Sequence, residues 1–185
     1  LAAVQRAATI VKNMLSFSRK SAGVFTSNSI PELLDQTLEI VASDYDLNKH
    51  YDFKQIQIAR KYESSLPEVM CEKNEIQQVF FNLLKNSAES MAEKEFFHDS
   101  PQLQLRVAQE NNSMAIEVED NGLGMAEPIR KRVFEPFYTT KSVGQGTGLG
   151  LSVSYFIITT LHKGEMDVYS VPGSWTRFTI KLPIA

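Results

Sequence analysis

The spacing of apolar positions predicts that helices and strands share one core in this chain. Apolar residues recur with a helical period over 30–46, from Asn74 to Leu84, and over 152–161. Apolar and polar residues alternate, as in strands, over 55–62, 102–109, 113–119, 166–171 and 176–182. These elements predict an α/β (α+β) sandwich, in which helices pack on one face of a mixed β-sheet and the other face is largely open to solvent.

One further helix is predicted at the N-terminus. Val4, Ala7, Val11 and Met14 fall at heptad-like spacing, which gives this helix an apolar seam for a partner. Serine and glycine residues then interrupt the pattern. We therefore assign 1–22 to a helical appendage, 23–29 to a linker and 30–185 to the main domain.

Composition narrows the class of protein. The chain has 43% hydrophobic and 22% charged residues and a formal net charge of −3, which is typical of an ordinary globular domain. No apolar run reaches the roughly 18 residues of a membrane span. Cys71 is the one cysteine, and its apolar neighbours favour a buried structural thiol. No nucleic-acid partner is expected.

The glycine-rich run that precedes the last predicted helix is a candidate phosphate site. Gly144, Gly146, Gly148 and Gly150 alternate with other residues, among them Thr147 and Leu149. A glycine-rich turn that leads into a helix N-terminus presents backbone N–H groups to an anion. A plain linker is the alternative. The letters match neither the P-loop motif nor the G-x-G-x-x-G motif, and the protein-kinase motifs are absent.

A second motif, Asp-Asn-Gly-Leu-Gly-Met at 120–125, follows a predicted strand. An ionised Asp120 only accepts hydrogen bonds, so it can hold the amino group of adenine and repel the carbonyl group of guanine. Gly122, Gly124 and Met125 would complete this part of the site. The alternative is a hairpin turn, because Asp, Asn and Gly are favoured turn residues.

Two asparagines project from one side of the predicted central helix. Asn82 and Asn86 are four residues apart, and their amide oxygens can ligate Mg²⁺, an ion that also takes phosphate oxygens and water. Two solvated surface amides are the alternative.

Together these motifs resemble the conserved boxes of sensor histidine kinases, which belong to the GHKL superfamily. Residues 82–89 are similar to the N box, 120–124 to the first glycine box, 134–141 to the F box and 146–151 to the second glycine box. The likeness covers roughly 30–185 and is greatest to nitrogen-regulation-type kinases. It implies the GHKL-type fold, with ATP and Mg²⁺ as ligands.

The resemblance also assigns roles to residues. Residues 126–145 would form a lid over the ATP phosphates, anchored by the rings of Phe134 and Phe137, with Phe134 also counted in the ATP site. Thr140 and Lys141 would lie at the phosphates, and Lys141 is the best candidate for a direct contact. Asn86, assisted by Asn82, would hold the metal. The implied catalytic set is Asn82, Asn86 and Lys141.

The implied activity is transfer of the γ-phosphoryl group to a histidine outside this chain. Residues 14–19 look like the end of the second helix of a dimerisation hairpin, whose first helix would carry the acceptor. The chain alone is then expected not to autophosphorylate. Expected partners are that hairpin and a cognate response regulator. The full-length protein would be a homodimer, whereas this chain could be monomeric. A cytoplasmic location is expected, and it is compatible with a membrane anchor elsewhere in the protein.

Two other functions are open. Related ATPases carry a water-activating glutamate at the position of Asn82, which cannot act as a base; a nucleotide-dead scaffold is the other alternative. None of His50, His98 and His162 has the neighbours of a phosphoacceptor, and His162 is expected to be structural. Trp175 replaces a glycine of a late family motif, which predicts altered local packing without loss of nucleotide binding.

Overall fold

The structure is a computed structural model that describes residues 23–48, 53–141 and 146–184. The predicted helix over 1–22, His50 and Gly144 lie outside these residues. The helices are α1 (Ile30–Asn48), α2 (Lys73–Ala92), α3 (Glu127–Arg130) and α4 (Gly150–Phe156), which continues as one π-helical turn over Ile157–Leu161. The strands are β1 (Thr26–Asn28), β2 (Gln57–Tyr62), β3 (Val69–Cys71), β4 (Gln102–Glu110), β5 (Ser113–Asp120), β6 (Glu165–Val171) and β7 (Trp175–Pro183).

Five strands form one mixed sheet in the order β2-β4-β5-β7-β6. The pair β2–β4 is parallel, and the three other pairs are antiparallel. The predicted mixed sheet is thus confirmed, although Gln55 belongs to a 3-10 turn (Phe53–Gln55) and not to β2. The pair β1–β3 forms a separate antiparallel sheet. Strand β1 lies within the segment predicted to be a linker, so part of that segment pairs with the domain.

The core lies between one face of the sheet and the helices. Met114, Ile116 and Val118 alternate along β5 and are fully buried, as the period of two requires. They face the apolar side of α2, whose buried residues are Ile76, Val79, Phe80, Leu83, Leu84, Ser87, Ala88 and Met91. The opposite face of the sheet carries cross-strand charge pairs, such as Arg106 with Glu117 at 3.2 Å. This arrangement confirms the predicted sandwich with helices on one face.

The N-terminus of α2 is fixed by a short cap and by a distant histidine. The Glu72 carboxylate accepts a bond from the Glu75 N–H at 2.6 Å. His162 is 6% exposed; its Nε2 accepts a bond from the Glu72 N–H at 3.1 Å, and its Nδ1 lies 2.9 Å from the Ile157 carbonyl. These partners assign the proton to Nδ1. The expected structural role of His162 is therefore confirmed.

Two other expectations can be compared with the described residues. Cys71 is fully buried, as predicted, and burial raises the pKa of its thiol to about 11. None of the helices in these residues is long and apolar enough to cross a bilayer.

We predict that His162→Leu destabilises the fold. The substitution leaves the Glu72 N–H buried without its acceptor, which costs about 1–3 kcal/mol of unfolding free energy. Urea unfolding followed by circular dichroism measures the effect. His98 is exposed, so the matched His98→Leu variant should change stability by less than about 0.5 kcal/mol. Equal stability of the two variants would contradict the structural role of His162.

Candidate functional site

A cleft of about 660 Å³ opens between α2, the end of β5 and the glycine-rich segment before α4. Its residues come from five separate parts of the chain. They are Asn82, Lys85, Asn86, Glu89, Ser90, Glu93, Asp120, Leu123, Gly124, Met125, Ile129, Val133, Tyr138, Thr139, Thr140, Lys141, Gly146, Thr147, Gly148, Gly150, Leu151, Thr176 and Phe178.

Asp120 forms the deep end of the cleft. It is the last residue of β5, it pairs with Thr176 of β7, and it is 2% exposed. One carboxylate oxygen accepts a bond from the Gly122 N–H at 3.0 Å. Burial raises the pKa of Asp120 to about 6, against the lowering effects of the Gly122 N–H and the Lys94 ammonium. The carboxylate is therefore mostly ionised above about pH 7.

Ser87 lies beside this carboxylate on α2. Its hydroxyl is buried and has no hydrogen-bond partner among the described residues, so Ser87 is a neighbour of Asp120 and not its donor. A buried hydroxyl without a partner is costly unless a ligand or water bonds to it. This end of the cleft thus offers polar groups to a bound molecule.

The loop after Asp120 is held in place by side chains from α2 and β6. The Ser90 hydroxyl accepts a bond from the Leu123 N–H at 3.0 Å, and the Ser170 hydroxyl accepts one from the Met125 N–H at 2.7 Å. Gly124 has φ +64°, and a side chain there would collide with the Val171 carbonyl. Glycine is needed at this position because the β6–β7 turn packs directly against the loop.

Asn82 and Asn86 both line the opposite end of the cleft. The Asn82 amide donates to the Gly150 carbonyl and to the Ser154 hydroxyl, each at 3.1 Å. The amide group of Asn82 therefore ties α2 to the start of α4. Its Oδ1 accepts no bond from these partners and is the atom that could ligate a metal ion.

A backbone bond joins the predicted lid to the glycine-rich segment that follows it. The Phe137 N–H donates to the Gly148 carbonyl at 2.8 Å, and Gly148 has φ +66°. The Phe137 ring is 55% exposed, so the prediction that it anchors the lid by packing is wrong. Phe134 does pack, with its ring 4.9 Å from Tyr155 and 6.4 Å from Phe178.

An ion pair crosses the cleft between the lid and α2. The Lys141 ammonium contacts the Glu89 carboxylate, and both side chains are about 30% exposed. The predicted phosphate-binding lysine therefore lies in the cleft, paired with a carboxylate that the sequence analysis did not single out.

Most predicted site residues meet in this one cleft. Three described ones do not line it: Gly122 and Leu149 are buried behind it, and Phe134 packs outside it. The cleft also contains residues that the sequence analysis missed, notably Ser90, Glu93, Tyr138 and Thr176. The sequence contains a signal for Thr176, because this residue follows Trp175 in the late glycine motif. In the structure, Thr176 pairs with Asp120 across the sheet.

The residues present fit ATP. Asp120 lies at one end, with the buried Ser87 hydroxyl behind it, and Gly146, Gly148 and Gly150 lie at the other; the volume between them suits a nucleotide. No group of three His, Cys, Asp or Glu side chains suited to a metal ion occurs in the described part of the chain. The side-chain oxygens of Asn82, Asn86 and Glu89 offer hard ligands that Mg²⁺ could share with phosphates.

An α/β sandwich with a glycine-lined cleft and a buried carboxylate at its base defines a nucleotide-binding domain. Residues 71–185 match the family of histidine kinase-, DNA gyrase B- and HSP90-like ATPases. The chain belongs to this family, whose domain binds ATP.

The proteins that this chain resembles include sensor kinases. The chain is 33% identical over 182 residues to sporulation kinase E of Bacillus subtilis, covering 98% of this chain and 23% of that protein. It is 34% identical over 161 residues to the sensory histidine kinase/phosphatase NtrB of Vibrio alginolyticus, covering 83% of this chain and 43% of that protein. The chain thus spans less than half of either relative. The expected likeness to nitrogen-regulation-type kinases is confirmed.

A solved structure confirms the fold. The catalytic domain of the histidine kinase ThkA matches with a TM-score of 0.69 at 23% identity, covering 86% of this chain and 95% of that one.

We predict that Asp120→Asn raises stability above the pKa of the native side chain. Burial raises this pKa from 3.8 to about 6, so the folded state binds the proton more tightly than the unfolded chain does. Asp120 therefore costs no stability below about pH 4, and the cost grows with pH to its full value above about pH 6. The variant should gain about 1–3 kcal/mol at about pH 8 and little at about pH 4.

Urea unfolding at both pH values measures this difference. Asp99 is exposed, so Asp99→Asn is the matched control and should change stability by less than about 0.5 kcal/mol at either pH. A variant of Asp120 that is no more stable than the wild type at about pH 8 would contradict the cost of burying the charge.

Proposed function

We propose that this chain binds ATP with Mg²⁺ in the cleft and transfers the γ-phosphoryl group to a histidine on a dimerisation hairpin of the same sensor kinase. The observation that carries the proposal is the buried Asp120 carboxylate at the base of a cleft that ends in three glycines and a lysine. A carboxylate this deeply buried is costly to keep, and a bound base that donates hydrogen bonds to it would offset that cost.

Asp120 would select adenine. One of its oxygens is already bonded to the Gly122 N–H, and the other can accept a bond from an amino group. Guanine would present a carbonyl group to this carboxylate and be repelled. The Ser87 and Thr176 hydroxyls, both nearly fully buried, can position the same base directly or through water.

The phosphate end would use backbone N–H groups and Lys141. Gly146, Gly148 and Gly150 line the cleft just before and at the start of α4, where N–H groups are available to an anion. Thr140 and Thr147 add hydroxyls at the same end. Asn86 would ligate Mg²⁺ through its amide oxygen. Phosphoryl transfer depends mainly on such positioning and charge neutralisation.

The acceptor would come from another polypeptide segment. Neither His98 nor His162 lines the cleft, and His162 is buried with both ring nitrogens in contact with the backbone. Hydrolysis is disfavoured because an amide at position 82 cannot act as a base, and this amide is committed to Gly150 and Ser154. We further propose a cognate response regulator as partner, a homodimeric full-length kinase and a cytoplasmic location for this domain.

The direct test supplies the hairpin in trans. The chain is mixed with a separate polypeptide that carries the dimerisation hairpin of its parent kinase, together with radiolabelled ATP and Mg²⁺. We expect acid-labile label on the histidine of that polypeptide, and no label with Asp120→Asn, which loses a charge-assisted bond to adenine worth about 1.5–3 kcal/mol. Phosphate release without transfer would instead indicate an ATPase, and absence of ATP binding a nucleotide-dead scaffold.

We also predict that Glu89→Gln tightens the binding of a non-hydrolysable ATP analogue. The Glu89 carboxylate is paired with Lys141, so it competes with the triphosphate for the ammonium and repels the phosphates. Removing this charge should improve the affinity by about three- to fivefold, in keeping with a partly exposed ion pair. Lys141→Gln should weaken it by a similar factor.

Calorimetric titration with and without Mg²⁺ measures both effects. Glu93→Gln is the matched control, because Glu93 also lines the cleft but lies one turn further along the chain. If Glu89→Gln binds the analogue more weakly than the wild type when Mg²⁺ is present, but not when it is absent, Glu89 is a metal ligand and not a competitor for Lys141.

A further inference from the structure

The Lys94 ammonium binds three backbone carbonyls beside the deep end of the cleft. Its Nζ lies 2.6 Å from the Asn121 oxygen, 3.2 Å from the Gly122 oxygen and 3.3 Å from the Ser174 oxygen. An ammonium has three N–H donors, so all of them are used. Lys94 follows the end of α2 and is outside the cleft lining, which is why no motif pointed to it.

The three carbonyls belong to two loops that meet behind the proposed adenine site. Asn121 and Gly122 follow Asp120, and Ser174 lies in the β6–β7 turn. The loops also contact each other directly, because the Gly173 N–H donates to the Leu123 carbonyl at 2.5 Å. The ammonium is therefore the point at which the end of α2, the Asp120 loop and the β6–β7 turn are joined.

Lys94 also contributes charge. The charged groups that act on the Asp120 carboxyl are Glu119, its neighbour on β5, which raises the pKa, and Lys94, which lowers it. Glu119 is paired with Arg177 on the open face of the sheet, at 2.5 Å. Lys94 is thus the cation among the described residues whose charge favours the ionised form of Asp120.

We propose that Lys94 is a positioning residue for the adenine site: its ammonium fixes the Asn121–Gly122 backbone and keeps a positive charge beside the Asp120 carboxylate. The Gly122 N–H that bonds to Asp120 belongs to the same peptide segment that Lys94 holds. Loss of the ammonium would therefore change both the direction of this N–H and the charge state of the carboxylate. The inference rests on the proposed function, because it takes the Asp120 end as the base site.

The decisive variant is Lys94→Met, which keeps an unbranched apolar side chain and removes the N–H donors and the charge, including the contact of the ammonium with the Phe96 ring. Calorimetric titration with ADP and Mg²⁺ should show an affinity loss of about tenfold at about pH 6.5, where the raised pKa of the variant leaves more of Asp120 protonated, and a smaller loss at about pH 8.5. Lys94→Arg keeps the charge and should remain within about threefold of the wild type. Lys181→Met is the matched control, because Lys181 is paired with Glu110 at the other end of β7.

A second measurement does not depend on the nucleotide. The ¹³C shift of the Asp120 carboxyl group, followed with pH in the ligand-free protein, should titrate at higher pH in Lys94→Met than in the wild type. Should that variant not fold, Lys94→Gln, which keeps N–H donors but no charge, must show the same displacement. An unchanged titration of Asp120, or an ADP affinity loss identical at every pH, would overturn the proposal. Failure of the wild type to bind ADP would contradict the proposed function and leave the titration of Asp120 to decide the role of Lys94.

Discussion

The burial of one carboxylate governs the rest of this structure. Asp120 ends a central strand with 2% of its surface exposed, and its desolvation raises its pKa towards neutrality. Isolated charges are expelled from protein interiors unless hydrogen bonds and opposite charges compensate them. Here the Gly122 N–H and the Lys94 ammonium compensate part of the cost. The remaining free-energy cost of burying the charge can be offset by a ligand that donates hydrogen bonds.

Helix α2 provides most of the support for that site. Its apolar side packs on the sheet, while Asn82, Asn86, Glu89 and Ser90 line the cleft and Ser87 lies beside Asp120. One helix can carry all of these groups because the side chains of its successive residues point in different directions around its axis. In the proposed function, the spacing between these groups would therefore be set by a rigid element and not by loops.

The sequence predicted those features that depend on neighbours along the chain. The alternation in β4 and β5, the helical period of α2 and the glycine motifs are local patterns, and the strands, helices and cleft followed from them. β1 was missed because three polar residues, Thr26 to Asn28, show no alternation. Two contacts join residues that are far apart in the chain: Lys141 pairs with Glu89, and Lys94 binds Asn121. No local sequence pattern predicts such contacts. The Phe137 ring, expected to pack, is exposed, and this residue contacts the glycine-rich segment through its backbone N–H.

The bond between the Phe137 N–H and the Gly148 carbonyl has a consequence for the divergence of such domains. It joins the two residues that flank the segment 138–147. A change in the length of that segment therefore need not move the rest of the domain. The entropy of closing a flexible loop grows only with the logarithm of its length, by about 0.6 kcal/mol for each doubling. Insertions and deletions above this bond should therefore be nearly neutral for folding.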